Sequence, residues 1–368
     1  MKEERKRILK MVEEGKLTVD EALSLLEELE TSTKTMEEKQ EQLVNELSTV
    51  VMFKEEQKEK SQGSHYNYQS AKDKIFGFVD SAIKKVKDFD LDLNFGKRID
   101  ISHIFQQKDA FVKKVDLDIA NGNVRVVPWD QEDIRVECQA QVYRVETQEE
   151  AKEKFLKEVL FKVEGEHLLF STEQKWIKLE TVVYLPQVEY EYVEIRIFNG
   201  AMEGKDLAVK QYKMKTANGK ITMDGIKSQK VEAETGNGAI QFNHCKIDEI
   251  DAETLNGAIV MDGELRKVEL QSFNGNIQFQ AINNSCEVVE VKTTTGSIDL
   301  VIPELVAVNG ELKSNLGNFT VDLDGIQIVE EKSELIQKTM TFKSVKDSIQ
   351  TVRLHADTKT GSIVIRKA

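Results

Sequence analysis

From about residue 110 onward, apolar and polar residues alternate with a period of two, the signature of strands that bury one face. A returning glycine punctuates the alternation: Gly200, Gly219, Gly238, Gly257, Gly275, Gly296 and Gly317, at steps of 19, 19, 19, 18, 21 and 21 residues. Gly361 carries the same flanks near the end of the chain. Asn stands before the glycine at 199, 218, 237, 256 and 274. A small hydroxyl residue stands three positions earlier: Thr216, Thr235, Thr254, Ser272, Thr293, Ser314 and Thr358. Apolar residues follow two and four positions later, as in Ile221/Met223, Ile240/Phe242 and Ile259/Met261.

The step from the hydroxyl residue to the first apolar residue after the glycine is odd, so the inward phase resets and the chain must turn there. Asn-Gly suits a tight turn that demands positive φ, which marks Gly219, Gly238, Gly257, Gly275, Gly296, Gly317 and Gly361 as structural turns. A hairpin and a solenoid corner both satisfy this parity. Near-constant spacing favours the solenoid, because each coil must register on the last. The expected fold is therefore mainly β: a parallel β-solenoid of about 19–21 residues per coil over 96–368. A helix interrupts it at 147–158, opened by the capping box Thr147-Gln148-Glu149-Glu150.

Before residue 96 the period is helical. Ile8, Leu9, Met11 and Val12 form a stripe that stops at Gly15, and Thr18 with Glu21 forms a capping box for a second helix. Its apolar face, Ala22, Leu23, Leu25, Leu26 and Leu29, completes a hairpin over 1–30. So small a unit buries little, which makes Leu23, Leu26 and Leu29 candidate partner-binding residues. Residues 31–70 read as a charged, partly helical linker with Leu43, Leu47, Val50 and Val51 as a thin stripe. An amphipathic helix is expected over 71–88, within a 71–95 segment. It either caps the solenoid or lies on a membrane, with Ile75, Phe76, Phe78, Val79, Ile83, Lys84 and Lys85 as the contact residues.

A net charge of −14 argues against nucleic-acid binding, which needs a basic face. No apolar run approaches the roughly 18 residues that span a bilayer, and Met1 to Lys10 lacks a signal-peptide core, so a cytoplasmic chain is expected. Cys138, Cys245 and Cys286 form no disulfide framework; Cys286, near a strand edge, is a candidate reactive thiol set against the simpler reading of a buried residue. The five histidines have no ligand spacing, and Asp90/Asp92, Asp116/Asp118 and Asp322/Asp324 suit solvated carboxylates better than calcium ligands. Glu232, Glu234, Asp251 and Glu253 face outward and could form the carboxylate ladder of a carbohydrate-cleaving β-helix, but nothing singles out a pair. No catalytic residue, metal or cofactor is expected, and the chain reads as a non-enzyme.

The stretch Ile8 to Thr18 with Ala22, Leu23 and Leu26 resembles the SHOCT-like helical module. The Asn-Gly and Thr-Gly corners resemble the bacterial adhesin-like β-repeat domain of unknown function. Together they are similar to the YvlB-like proteins of Gram-positive bacteria over essentially the whole chain. This resemblance implies a cell-envelope stress protein that acts through protein contacts at or near the inner face of the membrane. The implied partner is a membrane stress regulator of the phage-shock type, with self-association and peripheral membrane contact as further routes. Direct binding of lipid headgroups or cationic membrane-active peptides is the alternative.

Overall fold

The computed structural model describes residues 2–52, 97–334, 337–346, 348 and 350–368. Its β part is a parallel solenoid. Each coil has a long strand ending at the corner asparagine and a short strand after the corner. Lys227–Asn237, for example, pairs in parallel with Ala208–Asn218 on one side and with the second half of Ile240–Asn256 on the other. Short strands stack likewise, Ile221–Asp224 lying between Met202–Lys205 and the start of Ile240–Asn256. Parallel pairing between coils resolves the choice between hairpin and solenoid. Corner residues stack in register as Asn121, Asn199, Asn218, Asn237, Asn256, Asn274 and Thr295.

The corner works differently from the expectation of positive φ. Gly296 has a positive φ, +159°, but at Gly219, Gly238, Gly257, Gly275, Gly317 and Gly361 φ lies outside the left-handed region. What demands glycine is proximity. A Cβ on Gly257 would fall inside the van der Waals envelope of the Gly238 carbonyl oxygen, and every later corner repeats the clash. That same oxygen accepts the hydroxyl of the next coil: Thr254 Oγ1 donates to Gly238 at 2.9 Å and Thr235 Oγ1 to Gly219 at 2.9 Å. The hydroxyls are buried, so this bond is what permits a polar group inside the core. Outside the corner the asparagines form their own ladder, Asn237 Nδ2 donating to Asn218 Oδ1 at 2.8 Å and Asn256 to Asn237 at 2.9 Å.

Coil order departs from chain order at the C-terminal end. Thr351–Thr358 lies between Val288–Thr295 and Ala307–Ser314, and Ile363–Lys367 lies between Ile298–Ile302 and Phe319–Asp322. The corners therefore stack as Gly296, Gly361, Gly317. The hairpin of Ile326–Ser333 and Lys338–Ser344 then extends the long sheet with antiparallel pairing.

At the other end, the antiparallel strands Arg98–Gln107, Ile134–Tyr143 and Ile177–Pro186 close the solenoid together with a helix, Gln148–Glu158. That helix starts where the capping box places it: Glu150 N donates to Thr147 Oγ1 at 3.2 Å and Glu146 N to Glu150 Oε2 at 3.0 Å. Phe105 stacks on Phe161 at 5.4 Å and meets Phe155 and Phe170 at 6.1 Å, sealing the core. The helix expected over 71–88 lies outside the described residues.

Helix α1 (Lys2–Glu13) ends at Gly15, whose φ of +69° lets Lys16 N reach Met11 O at 2.8 Å. The Thr18–Glu21 capping box forms in both directions, at 2.7 and 3.3 Å. Helix α2 (Val19–Met52) does not stop near residue 30 but runs on for 34 residues. Thr31, Thr33 and Thr35 are weak helix formers that bond back to carbonyls four residues earlier. Docking against the solenoid carries the helix through them, since tertiary packing outweighs propensity.

Gly257→Ala is expected to cost at least about 3 kcal/mol, because backbone rather than a yielding side chain blocks the new methyl. Thr254→Val, which strands one carbonyl, should cost about 1–2 kcal/mol. Urea denaturation of the two variants checks both the values and their order.

Candidate functional site

Helix α2 is a strap laid along the solenoid axis, N-terminus towards the last coils and C-terminus towards the first. Leu25 and Leu29 pack with Ile8 against Leu316, and Glu28 bonds Asn315 at 2.8 Å and pairs with Lys359. Met36 Sδ lies 3.9 Å from Asn274 Nδ2, and Lys39 pairs with Glu253. Leu43, Val44 and Leu47 then pack on Phe198 and Ala217. From Leu25 to Leu47 the helix rises about 33 Å. The seven strand spacings from the Leu316 coil to the Phe198 coil span about 34 Å. A helix advancing about 3.2 residues per coil thus meets every coil with one face.

The floor under the strap is the position two before each corner glycine, occupied by Phe198, Ala217, Gly236, Leu255 and Phe273. Ion pairs flank it. Lys215, only 14% exposed, lies 2.8 Å from Glu46 and 3.0 Å from Glu234. Burial works against its charge, yet the hydrogen bonds it donates to the two carboxylates outweigh it and raise the ammonium above the ordinary lysine value.

The structure separates the three leucines read from the sequence. Leu23 is 52% exposed and Leu26 half-buried, whereas Leu29 is buried at 4%. Leu29 is therefore not available to a partner, because the solenoid's Leu316 already covers it. Leu9 and Val19 are exposed like Leu23, at 54% and 65%. Sequence reasoning passed over Leu9 as an ordinary member of the first stripe and over Val19 as part of the capping-box turn. Ile75, Phe76, Phe78, Val79, Ile83, Lys84 and Lys85 lie outside the described residues.

On the long sheet, Glu232, Asp251, Glu269 and Glu290 stand opposite one another in successive coils, with Glu234 and Glu253 in the next row. Partial burial, followed by the charges of Glu269, Glu253, Glu232 and Glu234, pushes the Asp251 carboxyl up to about 6. Lys230 pairs with Glu232 at 2.6 Å. Neighbours in the row are thus set apart: the hydrogen bond from Lys230 holds the Glu232 carboxyl below the ordinary value, while Asp251 beside it is raised. Asp116 pairs with His167 at 2.6 Å, Asp118 with Arg196 at 2.9 Å and Asp324 with Lys367 at 3.1 Å; Asp90 and Asp92 lie outside the described residues. Among the described residues no group of three or more His, Cys, Asp and Glu is placed to hold a metal. Burial raises the Cys286 thiol to about 12, which removes the reactive-thiol reading. No helix among the described residues is long and apolar enough to cross a membrane.

The Toastrack DUF4097 family model matches residues 112–360. The chain belongs to the Toastrack DUF4097 family. A SHOCT-like domain matches residues 3–34. The uncharacterized protein YvlB of Bacillus subtilis (strain 168) is 44% identical over 366 residues, covering 100% of this chain and 99% of that protein. Among solved structures, a candidate adhesin from Bacteroides fragilis is 12% identical with a TM-score of 0.34, over 73% of this chain and 97% of that one. A candidate lipid binding protein from Parabacteroides distasonis is 11% identical with a TM-score of 0.34, over 73% and 96%.

Asp251 gives the acidic row a pH signature. Its folded value of about 6 exceeds the ordinary 3.8, so between those values the folded chain holds the extra proton and stability falls as pH rises. Asp251→Asn should match the wild type in urea midpoint near pH 3.5, then exceed it increasingly up to about pH 7.

Proposed function

We propose that this chain is a non-enzymatic scaffold of the bacterial cell-envelope stress response, holding a protein partner through its N-terminal hairpin. One observation carries the reading. The hairpin is clamped to the solenoid through the cluster of Ile8, Leu25 and Leu29 with Leu316, yet Leu9, Val19 and Leu23 remain exposed to water. Apolar side chains gathered on so small a unit favour a protein surface that covers them. The strap gives such a surface a rigid mount, with α2 spanning the stacked coils from the Leu316 end to the Phe198 end.

The envelope-stress assignment rests on the resemblance to YvlB-like proteins. It makes a membrane stress regulator of the phage-shock type the expected partner class and self-association the second route. The setting proposed is the cytoplasm, with peripheral contact at the inner face of the membrane through Ile75, Phe76, Phe78, Val79, Ile83, Lys84 and Lys85. A photo-crosslinker at Leu23 should trap one dominant protein in cells. The pair Leu9→Asp with Leu23→Asp should abolish that capture while the thermal midpoint stays within about 2 °C, because exposed positions contribute little to stability. Undiminished capture from the folded variant removes the hairpin from the reading.

The row Glu232, Asp251, Glu269, Glu290 favours a second reading, direct binding of cationic membrane-active peptides. Carboxylates in successive coils are about 4.8 Å apart, a spacing at which several cationic side chains can be met at once. A net charge of −14 would also draw such peptides in from a distance. Titration with a cationic lipopeptide should lose at least about tenfold in affinity between low salt and roughly 0.3 M, where screening is strong. Salt-independent binding, or none, discards this reading.

A further inference from the structure

Arg7 and Glu28 tie the N-terminal hairpin to the solenoid, Arg7 through Thr360 O at 3.3 Å and Glu28 through Asn315 and Lys359. Arg5 and Glu30 stand two residues away from them, about 200° round each helix, and pair with each other at 2.9 Å. That pair therefore marks the side of the hairpin turned away from the solenoid. Helical spacing carries the same side along both helices. Leu9 and Val12 follow Arg5 by four and seven residues, and Leu26, Leu23 and Val19 precede Glu30 by four, seven and eleven. Because the turn at Gly15 sends the chain back antiparallel, Leu9 comes level with Leu26 and Val12 with Leu23. The result is one apolar ridge, on which Leu9, Val19 and Leu23 are each more than half exposed.

Charge divides the ridge lengthwise. Arg5, Lys6, Arg7 and Lys10 make α1 basic, whereas Val19 to Glu30 of α2 holds five carboxylates and no base. A surface with one basic and one acidic helix is complementary to itself. A second copy turned by 180° about an axis parallel to the helices sets each α1 across from the other's α2, ridge on ridge. Arg5 and Lys6 then come level with Glu27 and Glu30 of the partner subunit. An axis at right angles to the helices would instead lay basic α1 on basic α1, so charge selects the first arrangement. Both solenoids lie on the outer sides of the paired hairpins and leave the approach open.

We propose that the hairpin ridge is covered by the hairpin of a second copy of this chain, α1 against α2, in a two-fold four-helix bundle. The inference rests on the reading of the hairpin as an interaction surface and names its occupant.

Sedimentation velocity of the full chain between about 1 and 200 μM tests it, the range in which an interface of this small size dissociates. A monomer–dimer equilibrium is expected. Leu9→Asp with Leu23→Asp should weaken it by about a hundredfold or more, since two-fold symmetry removes each contact twice. Arg5→Glu with Lys6→Glu should give a monomer, as should Glu27→Lys with Glu30→Lys, and an equimolar mixture of the two should form a heterodimer. All four charged positions are exposed, so these variants should keep the wild-type thermal midpoint. A chain that stays monomeric at every concentration overturns the proposal, as does a dimer that survives the leucine pair or a charge-reversed mixture that does not associate. A monomer whose Leu23 crosslinker still traps a different protein sinks the dimer alone and leaves the hairpin reading standing. A monomer that captures nothing removes both.

Discussion

The approach of one corner glycine to the carbonyl oxygen of the glycine before it governs the rest of the molecule. With no side chain between them, two backbones meet at the strand spacing, and the freed oxygen becomes the acceptor for a buried hydroxyl. Three bonds then close each corner from Gly219 to Gly275; at Gly257 they are the hydroxyl bond inside, the asparagine ladder outside and the backbone bond from Gly238 N to Asn256 O at 2.9 Å between them. Because each corner is built on the previous one, the coils cannot slip in register. A regular floor follows, and on that floor a long helix finds equivalent seats.

The strap is the second consequence. An α-helix and a stack of strands have different repeats, about 5.4 Å per turn against about 4.8 Å per coil, so the contact residues of the strap follow the helical turn while the helix as a whole lies along the stack. Hydrophobic contact is concentrated at the two ends of the strap and ion pairs lie between. Exposed pairs of this kind add little stability, so the leucine contacts hold the helix and the charged pairs align it. The weak threonine run sits in the span that has least to grip.

How much of this was legible in the sequence depended on whether a feature repeats. The coil length, the inward hydroxyl and the apolar positions at 221/223, 240/242 and 259/261 recur, and a recurring pattern has a single geometric reading. The cause of the glycine was misjudged, because Asn-Gly is equally at home in a positive-φ turn and in a close backbone contact. The length of α2 and the burial of Leu29 were not legible, since both depend on a surface far away in the chain. Nothing in the spacing of Gly296, Gly317 and Gly361 tells that the last is stacked between the other two. Leu9 belongs to the same helical stripe as Ile8 and Met11, and only the packed hairpin distinguishes which of them water reaches.

That inverted stacking has a bearing on how the protein is made. A ribosome delivers residues 307–322 well before 351–367, yet the earlier segment has no seat on Val288–Thr295, because its neighbour there is Thr351–Thr358. The growing chain can therefore wind its coils in order only as far as Ile302. The remainder must wait for residues 351–367, which enter between two segments already synthesised and lock them as a keystone does an arch.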